Sequence, residues 1–197
     1  MLFSLYINGS EIGASSIELG CNRDTLNAIF DHLRKIIARD MCDNEIILGG
    51  ITDTGHRSIV VIDESVFFKR KYNRGRIQNN QWFIGGIERG TRNCFIVPVE
   101  NRNAVTISRI LTRFIRPGSM VVTDCWRAYS RAISDTNLNI IHRTVNHSLN
   151  FVDPEDSNIH TQNIEGIWSR SKYFLRKKAG CSVEQRSIYL IQFLWMY

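Results

Sequence analysis

The 197-residue sequence lacks paired cysteines and long apolar runs, and both absences narrow the class of protein. Its five cysteines are scattered and none forms a CxxC pair, so neither a zinc ribbon nor a disulfide framework is predicted. We therefore expect a reducing, intracellular compartment. No stretch approaches the apolar length of a membrane span, so no membrane partner is expected. The short start MLFSLYI lacks the basic and small-residue flanks of a signal peptide.

The net charge is a weaker guide to function than these two absences. Lys and Arg outnumber Asp and Glu by 25 to 19, which gives a formal net charge of +6 and a pI near 9.2. This excess suits a polyanionic partner such as nucleic acid, but many other soluble proteins are mildly basic. The function therefore has to be inferred from the sequence motifs.

Residues 8–41 predict two helices joined by a short turn. Ser10 is expected to cap the first helix, which ends at Gly20, a residue suited to left-handed backbone. The turn CNRD leads to a second helix, whose apolar residues Leu26, Ile29, Phe30, Leu33, Ile36 and Ile37 fit a 3.6-residue period. This pattern matches a helix-turn-helix DNA-binding module and an ordinary αα-hairpin equally well.

From residue 57 the pattern changes to short apolar strands. SIVVID, QWFIGGIER, CFIVPVE, SMVVTD and NIIHRTVNH predict five strands. AVTISRILTRFIR, WRAYSRAI and HTQNIEGIWSRSK predict helices between and after them. This order predicts an α/β layer with a mixed sheet. Residues 42–56 are the expected boundary, which divides the chain into a helix-turn-helix module at 1–45 and an α/β domain at 46–197.

Three acids are placed where they can converge. Asp63 and Asp124 end two buried strands, and Glu165 lies near the start of a late helix. An oxygen-only set suits Mg²⁺ or Mn²⁺, and two such ions can activate a water and stabilise the leaving oxygen of a phosphodiester. Glu64 points to the opposite strand face from Asp63, so one of the two serves the site. Asp63 is preferred because it is in phase with the apolar Val61.

Each acid also has a purely structural explanation. Acids at strand ends are common, and the helix dipole favours a carboxylate in a first turn. Thr161 or Asn163 as N-cap would place Glu165 there. Trp126 and Trp168 are expected to be core residues rather than to stack on bases.

Four blocks occur in order along the chain, namely VVIDESVFFKRKYNRGR, QWFIGGIERG, VVTDCWRAYS and VNHSLNFVDPEDSNIHTQNIEGIWSRSK. Together they resemble Merlin-type DDE transposases and their bacterial insertion-sequence relatives, over roughly residues 57–195. The resemblance implies an RNase H-like fold and two Mg²⁺ ions that serve to cut and rejoin transposon ends. It places the family's acids on Asp63, Asp124 and Glu165, and its basic residue two turns later on Lys172. The block before the glutamate falls on His147, Phe151, Asp153, Pro154, His160 and Thr161.

One departure concerns the N-terminus. Relatives often carry a zinc ribbon before the helix-turn-helix, and this sequence has no cysteine pair for one. The N-terminal module is therefore expected to be incomplete in comparison with those relatives. His147 and His160 are candidates to orient water or phosphate near the acids, although a structural role is the usual one for a single histidine.

Basic residues accompany the acids. The hairpin KRKYNRGR is expected to hold phosphates beside the cut through Lys69, Arg70, Lys71, Arg74 and Arg76. Lys172 and Arg176 extend a cationic edge along the glutamate helix, and the following FLRKKAG segment has nuclear import as an alternative role. Arg23, at the start of the second helix, is the best candidate for base recognition, because Arg binds guanine bidentately.

The sequence thus predicts a DNA transposase that hydrolyses a phosphodiester with Mg²⁺ or Mn²⁺ and transfers the freed 3′-hydroxyl to target DNA. The expected partners are double-stranded DNA and further copies of the chain on that DNA. The expected location is the nucleus in a eukaryote and the cytoplasm in a bacterium. Two alternatives remain: a domesticated or decayed transposase that binds DNA without cutting, and an RNase H-like nuclease acting on other nucleic acids.

Overall fold

The computed structural model describes residues 1–67, 81–146, 160–178 and 182–197. The chain forms two compact units: the first comprises Met1–Glu45 and Gly180–Tyr197, and the second comprises Ile46–Ala179. The division after residue 45 lies where the sequence analysis placed its boundary. The C-terminal residues, which that analysis assigned to the α/β domain at 46–197, group with the N-terminal helices.

Seven helices and five strands are found in the described residues. The helices are α1 (Leu2–Ile7), α2 (Ile12–Leu19), α3 (Arg23–Asp43), α4 (Ala104–Phe114), α5 (Arg127–Ser134), α6 (Gln162–Arg176) and α7 (Val183–Met196). The strands are β1 (Ile59–Phe67), β2 (Gln81–Glu88), β3 (Cys94–Val99), β4 (Met120–Asp124) and β5 (Ile141–Val145). Among these helices, none is long and apolar enough to cross a membrane.

The first unit consists of α1, α2, α3 and α7 around one apolar cluster. Tyr6, Leu26, Phe30 and Ile37 are buried at its centre, and Ile191 and Trp195 of α7 pack against them. The expectation that Ile36 belongs to this apolar face is wrong, because its side chain is 52% exposed. Instead, the buried face of α3 continues from Phe30 through Arg34 to Ile37.

The ends of the early helices differ in part from expectation. Gly20 ends α2 in the left-handed conformation with φ 62°, as predicted. The predicted cap at Ser10 is wrong, because Glu11 is the N-cap residue of α2. The backbone N–H of Ser10 donates to the carbonyl oxygen of Leu5 at 3.0 Å. Ser10 therefore belongs to the end of α1, a helix that the sequence analysis did not include.

The second unit is built on a mixed five-stranded sheet in the order β3-β2-β1-β4-β5. β1, β2 and β3 form an antiparallel meander, and β4 and β5 continue the sheet in parallel from β1. All five predicted strands are present, each within one or a few residues of the predicted segment. The α/β fold class is therefore confirmed, and the arrangement is the expected RNase H-like one.

Two adjacent glycines of β2 show how the sheet separates two helical layers. A Cβ atom at Gly85 would lie 2.6 Å from the ring of Trp168 in α6. A Cβ atom at Gly86 would lie 2.5 Å from the ring of Phe95, which stacks on Phe114 of α4. Because successive strand residues face opposite ways, α6 covers one face of the sheet and α4 covers the other. The α4 face also buries Tyr129 and Ala132 of α5.

Candidate active site

Two aspartates lie at corresponding positions of neighbouring parallel strands. β1 and β4 pair with Val61 opposite Val122. Asp63 and Asp124 each follow that pair by two residues, so both continue the same strand face at the carboxyl ends of the paired segments. Both are partly exposed. The structure thus brings together two of the three acids selected from the sequence.

Asp63 is held by the indole of α6. The Nε1–H of Trp168 donates to Asp63 Oδ2 at 3.0 Å. Burial first, and then the nearby charges of Glu64 and Asp124, raise the pKa of Asp63 to about 6. The ionised carboxylate is therefore in an unfavourable environment, and a bound cation would relieve this cost.

Asp124 is fixed at the end of β4 by the chain that follows it. Its Oδ1 accepts the backbone N–H of Trp126 at 3.0 Å, a local bond that defines the turn into α5. Burial raises the pKa of Glu64, and the charge of Asp124 adds to that increase. Asp124 is thus within electrostatic reach of both acids of β1.

Glu64 is occupied by a separate set of contacts. Tyr129 Oη donates to Glu64 Oε2 at 2.6 Å, and Arg102 Nη1 donates to Oε1 at 3.1 Å. Glu64, Arg102 and Asp124 line one cleft, so Asp124 also stands beside Glu64. Because both oxygens of Glu64 accept hydrogen bonds from protein side chains, the geometry favours Asp63 as the metal-binding acid of β1.

One face of α6 lies along β1. Glu165, Trp168 and Lys172 are three and four residues apart, which puts them on the same side of the helix. Trp168 contacts Asp63, and Lys172 Nζ donates to Ser65 Oγ at 2.6 Å. Lys172 also lies 5.3 Å from the ring centroid of Phe67. The helix is therefore attached to β1 at two successive turns.

Glu165 lies one turn before Trp168, in the first turn of α6 after the N-cap Thr161. It is exposed, and its Oε1 accepts a hydrogen bond from Thr161 Oγ1 at 3.1 Å. Within the described ranges, no three His, Cys, Asp or Glu side chains are close enough to bind one metal ion. The structure therefore brings Asp63 and Asp124 together and leaves Glu165 outside their immediate group, on the same face of α6 as Trp168.

The other predicted site residues are more widely spread. Lys69, Arg70, Lys71, Arg74, Arg76 and His147 lie outside the described residues. His160 is half-buried, its carbonyl oxygen accepts Arg89 Nη2 at 3.1 Å, and burial followed by the Arg89 charge lowers its pKa. Arg176 is exposed in the last turn of α6. Arg23 is exposed at the first position of α3, after the N-cap Asn22.

Sequence reasoning missed three contributors to this site. Trp168 was expected only as a core residue, and it is buried, but it also binds Asp63. Tyr129 occupied an apolar position of the predicted helix and gave no sign of its bond to Glu64. Arg102, in the loop before α4, belonged to no motif. All three act on residues at least 38 positions away, so no local pattern identifies them.

The chain is similar to a known protein family and to a transposase-like protein. Residues 60–197 match the model of the ISXO2-like transposase domain. An uncharacterised transposase-like protein of Haemophilus influenzae is 27% identical over 103 residues, which are 52% of this chain and 79% of that protein.

Two solved structures are similar to this chain at low identity. One is the catalytic core domain of BIV integrase, with a TM-score of 0.46 and 13% identity over 70% of this chain and 80% of that chain. The other is a chain of the simian T-cell lymphotropic virus intasome in complex with PP2A regulatory subunit B56 gamma. It has a TM-score of 0.46 and 16% identity over 77% of this chain and 51% of that chain.

The matched domain includes most of the chain and contains Asp63, Asp124, Glu165 and Lys172. Its description is that of a transposase domain. The chain belongs to the ISXO2-like transposase family.

Proposed function

We propose that this chain is a DNA transposase that cleaves transposon ends and joins the freed 3′-hydroxyl to target DNA. The observation that carries the proposal is the alignment of Asp63 with Asp124, each two residues beyond the paired Val61 and Val122 of neighbouring parallel strands, in a chain of a transposase family. The four sequence blocks support a finer assignment, to the Merlin-type DDE group. The DNA substrate and the DDE chemistry are part of the proposal.

The acids fit a hard divalent cation. Their donors are oxygens, and the raised pKa of Asp63, caused by burial and by its acidic neighbours, indicates a site with excess negative charge. We propose that Asp63, Asp124 and Glu165 hold two Mg²⁺ or Mn²⁺ ions. Such ions supply activation of the attacking water or hydroxyl and stabilisation of the leaving oxygen when they are bound.

Glu165 lies one helical turn from the residue that contacts Asp63. It shares the β1-facing side of α6 with Trp168, one turn away, and its carboxylate is exposed and bonded to Thr161. We propose that Glu165 joins Asp63 through a rotamer change that gives up the bond to Thr161. A net contribution of about 0.5–1.5 kcal/mol for such a bond is small compared with the attraction of a divalent ion.

Other side chains would orient the site and the DNA. Trp168 fixes the orientation of Asp63, and Lys172 fixes α6 on β1 while placing a cation two residues beyond that acid. We propose that Lys172, Arg176 and the cations of the KRKYNRGR segment contact phosphates. We also propose that α2 and α3 form a helix-turn-helix in which Arg23 reads a base, and that several copies of the chain assemble on the DNA.

A nicking assay tests the proposal. The substrate is labelled duplex carrying the inverted repeat that flanks the coding region, with Mg²⁺, Mn²⁺ or EDTA. Asp63→Asn, Asp124→Asn and Glu165→Gln should each lower the cleavage rate by orders of magnitude while DNA binding persists. Asp135→Asn, an exposed acid after α5, is the matched control and should cleave normally.

Three outcomes would contradict the proposal. Cleavage at a normal rate by Glu165→Gln would mean that Glu165 only stabilises the start of its helix. DNA binding without any cleavage by the wild-type chain would favour a domesticated or decayed transposase. Preferential cleavage of an RNA–DNA hybrid, added as competitor, would favour a nuclease acting on other nucleic acids.

A further inference from the structure

Arg102 links three separate parts of the sheet. Its Nη1 donates to Glu64 Oε1 in β1 at 3.1 Å. Its guanidinium lies 3.6 Å from the ring centroid of Trp82 in β2 and 4.8 Å from that of Trp126, which follows β4. The side chain is 33% exposed, whereas that of Glu64 is 9% exposed. The cation therefore lies close to two indole rings and donates to a nearly buried carboxylate.

Both ends of this link are adjacent to the catalytic aspartates. Glu64 directly follows Asp63 in β1, so their side chains point to opposite faces of the sheet. A contact that fixes Glu64 on one face therefore also fixes Asp63 on the other face, where it meets Trp168. On the other side, the backbone N–H of Trp126 donates to Asp124 Oδ1 at 3.0 Å. Fixing the Trp126 ring therefore fixes the turn that orients Asp124.

We propose that Arg102 is a positioning residue that holds Asp63 and Asp124 in register for metal binding, an inference that rests on the proposed function. It acts through Glu64 on β1 and through Trp126 on the turn after β4. Neither of these side chains needs to touch the metal or the DNA.

The chemistry of the link requires arginine. A guanidinium is planar, so it can lie against aromatic rings while its edge donates within the plane to a carboxylate. Lysine keeps the charge and one hydrogen bond but has no flat face. Tyr129 Oη holds the second oxygen of Glu64 at 2.6 Å. Loss of Arg102 would therefore leave Glu64 attached on one side only, beside Asp124 in the shared cleft.

The test measures Mn²⁺ binding by the full chain, by calorimetry, in parallel with nicking. Arg102→Met should weaken Mn²⁺ binding by about tenfold or more, as is usual for residues that orient metal ligands, and Arg102→Lys should give an intermediate loss. Arg109→Met, at an exposed arginine of α4, is the matched control and should bind Mn²⁺ like the wild type. Circular dichroism and thermal unfolding establish that each variant is folded at the assay temperature.

A double-mutant cycle separates positioning from general loss of stability. If Arg102 acts through Glu64, then Arg102→Met combined with Glu64→Gln should weaken Mn²⁺ binding no more than the stronger single variant. Additive losses would overturn the inference, as would wild-type affinity in folded Arg102→Met or an equal loss in Arg109→Met. If Arg102→Met does not fold, the same comparisons made with Arg102→Lys test the positioning role.

The two proposals fail in different ways. Mn²⁺ binding that depends on Arg102, without any DNA cleavage, would contradict the transposase activity and support the positioning role. Cleavage that is unaffected by Arg102→Met would contradict the positioning role and leave the activity in place. Absence of Mn²⁺ binding in the wild-type chain would overturn the positioning role outright.

Discussion

Replacing Asp63 by Asn should stabilise the metal-free protein at neutral pH. In the folded chain the Asp63 carboxylate is partly buried beside Glu64 and Asp124, and its pKa rises from 3.8 to about 6. Asn removes the charge and keeps an oxygen that can accept the Nε1–H of Trp168. A residue that serves the proposed metal site at the expense of stability is expected to behave in this way.

The sign and size follow from the pKa. Because the folded-state pKa is higher than the unfolded-state value, ionisation of Asp63 destabilises the fold. The cost is absent below about pH 4, grows between about pH 4 and 6, and is complete above pH 6. At about 1.4 kcal/mol for each tenfold change in acidity, the upper limit is about 3 kcal/mol, and solvent screening at the exposed edge reduces it toward about 1 kcal/mol.

Urea unfolding of both proteins in EDTA, at pH 4 and pH 7.5, measures this difference. Asp63→Asn should exceed the wild type by about 1–3 kcal/mol at pH 7.5 and match it at pH 4. Asp135→Asn, at an exposed position, should show no such pH-dependent gain. Adding Mn²⁺ should raise the stability of the wild type and not that of Asp63→Asn. A variant no more stable than the wild type at pH 7.5 would refute the electrostatic reasoning.

Three further predictions follow from other contacts. Trp168→Phe deletes the hydrogen bond to Asp63, so it should raise the pKa of Asp63 in an NMR titration. It should also lower the free energy of unfolding in urea by about 1–3 kcal/mol. An unchanged pKa of Asp63 would contradict this prediction. Gly85→Ala should cost about 1–3 kcal/mol because its Cβ would meet the Trp168 ring, and unchanged stability would mean that α6 shifts freely. Arg23→Ala should cost about 1–3 kcal/mol of binding to terminal-repeat DNA in competition assays, and little on scrambled duplex. The exposed Arg39→Ala of α3 is its control, and equal losses on both DNAs would argue against base recognition.

The strands were predictable because their signals are local. The run SIVVID and its counterparts are apolar stretches bounded by polar residues, and each is a strand in the structure. Helix α7 was not predicted, since its sequence VEQRSIYLIQFLWM is apolar on several sides and its packing partners lie near the other end of the chain. Periodicity cannot reveal a partner that is more than 140 residues away.

Of the candidate site, the sequence indicated only the acids, and their catalytic role stays a prediction. Acids at the ends of two apolar strands suggested Asp63 and Asp124, and the parallel pairing of β1 and β4 aligns them. Their supporting contacts come from Trp168 and Arg102, whose distance in sequence hides them. The position of Glu165 relative to the aspartates depends on how α6 packs on the sheet, which no residue pattern specifies. Its role therefore stays a prediction.

The two-unit division has a consequence for dissecting the molecule. Because the first unit takes residues from both ends of the chain, the α/β unit is inserted within a discontinuous domain and is joined to it by two covalent connections. A fragment that begins near Ser58 and runs to the end would keep α7 but lose the cluster around Tyr6 and Leu26, against which Ile191 and Trp195 pack. Such a fragment would expose apolar side chains and tend to aggregate. A test that separates the proposed cleavage from the proposed recognition of transposon ends therefore calls for a fragment of residues 46–179, which omits both ends of the chain.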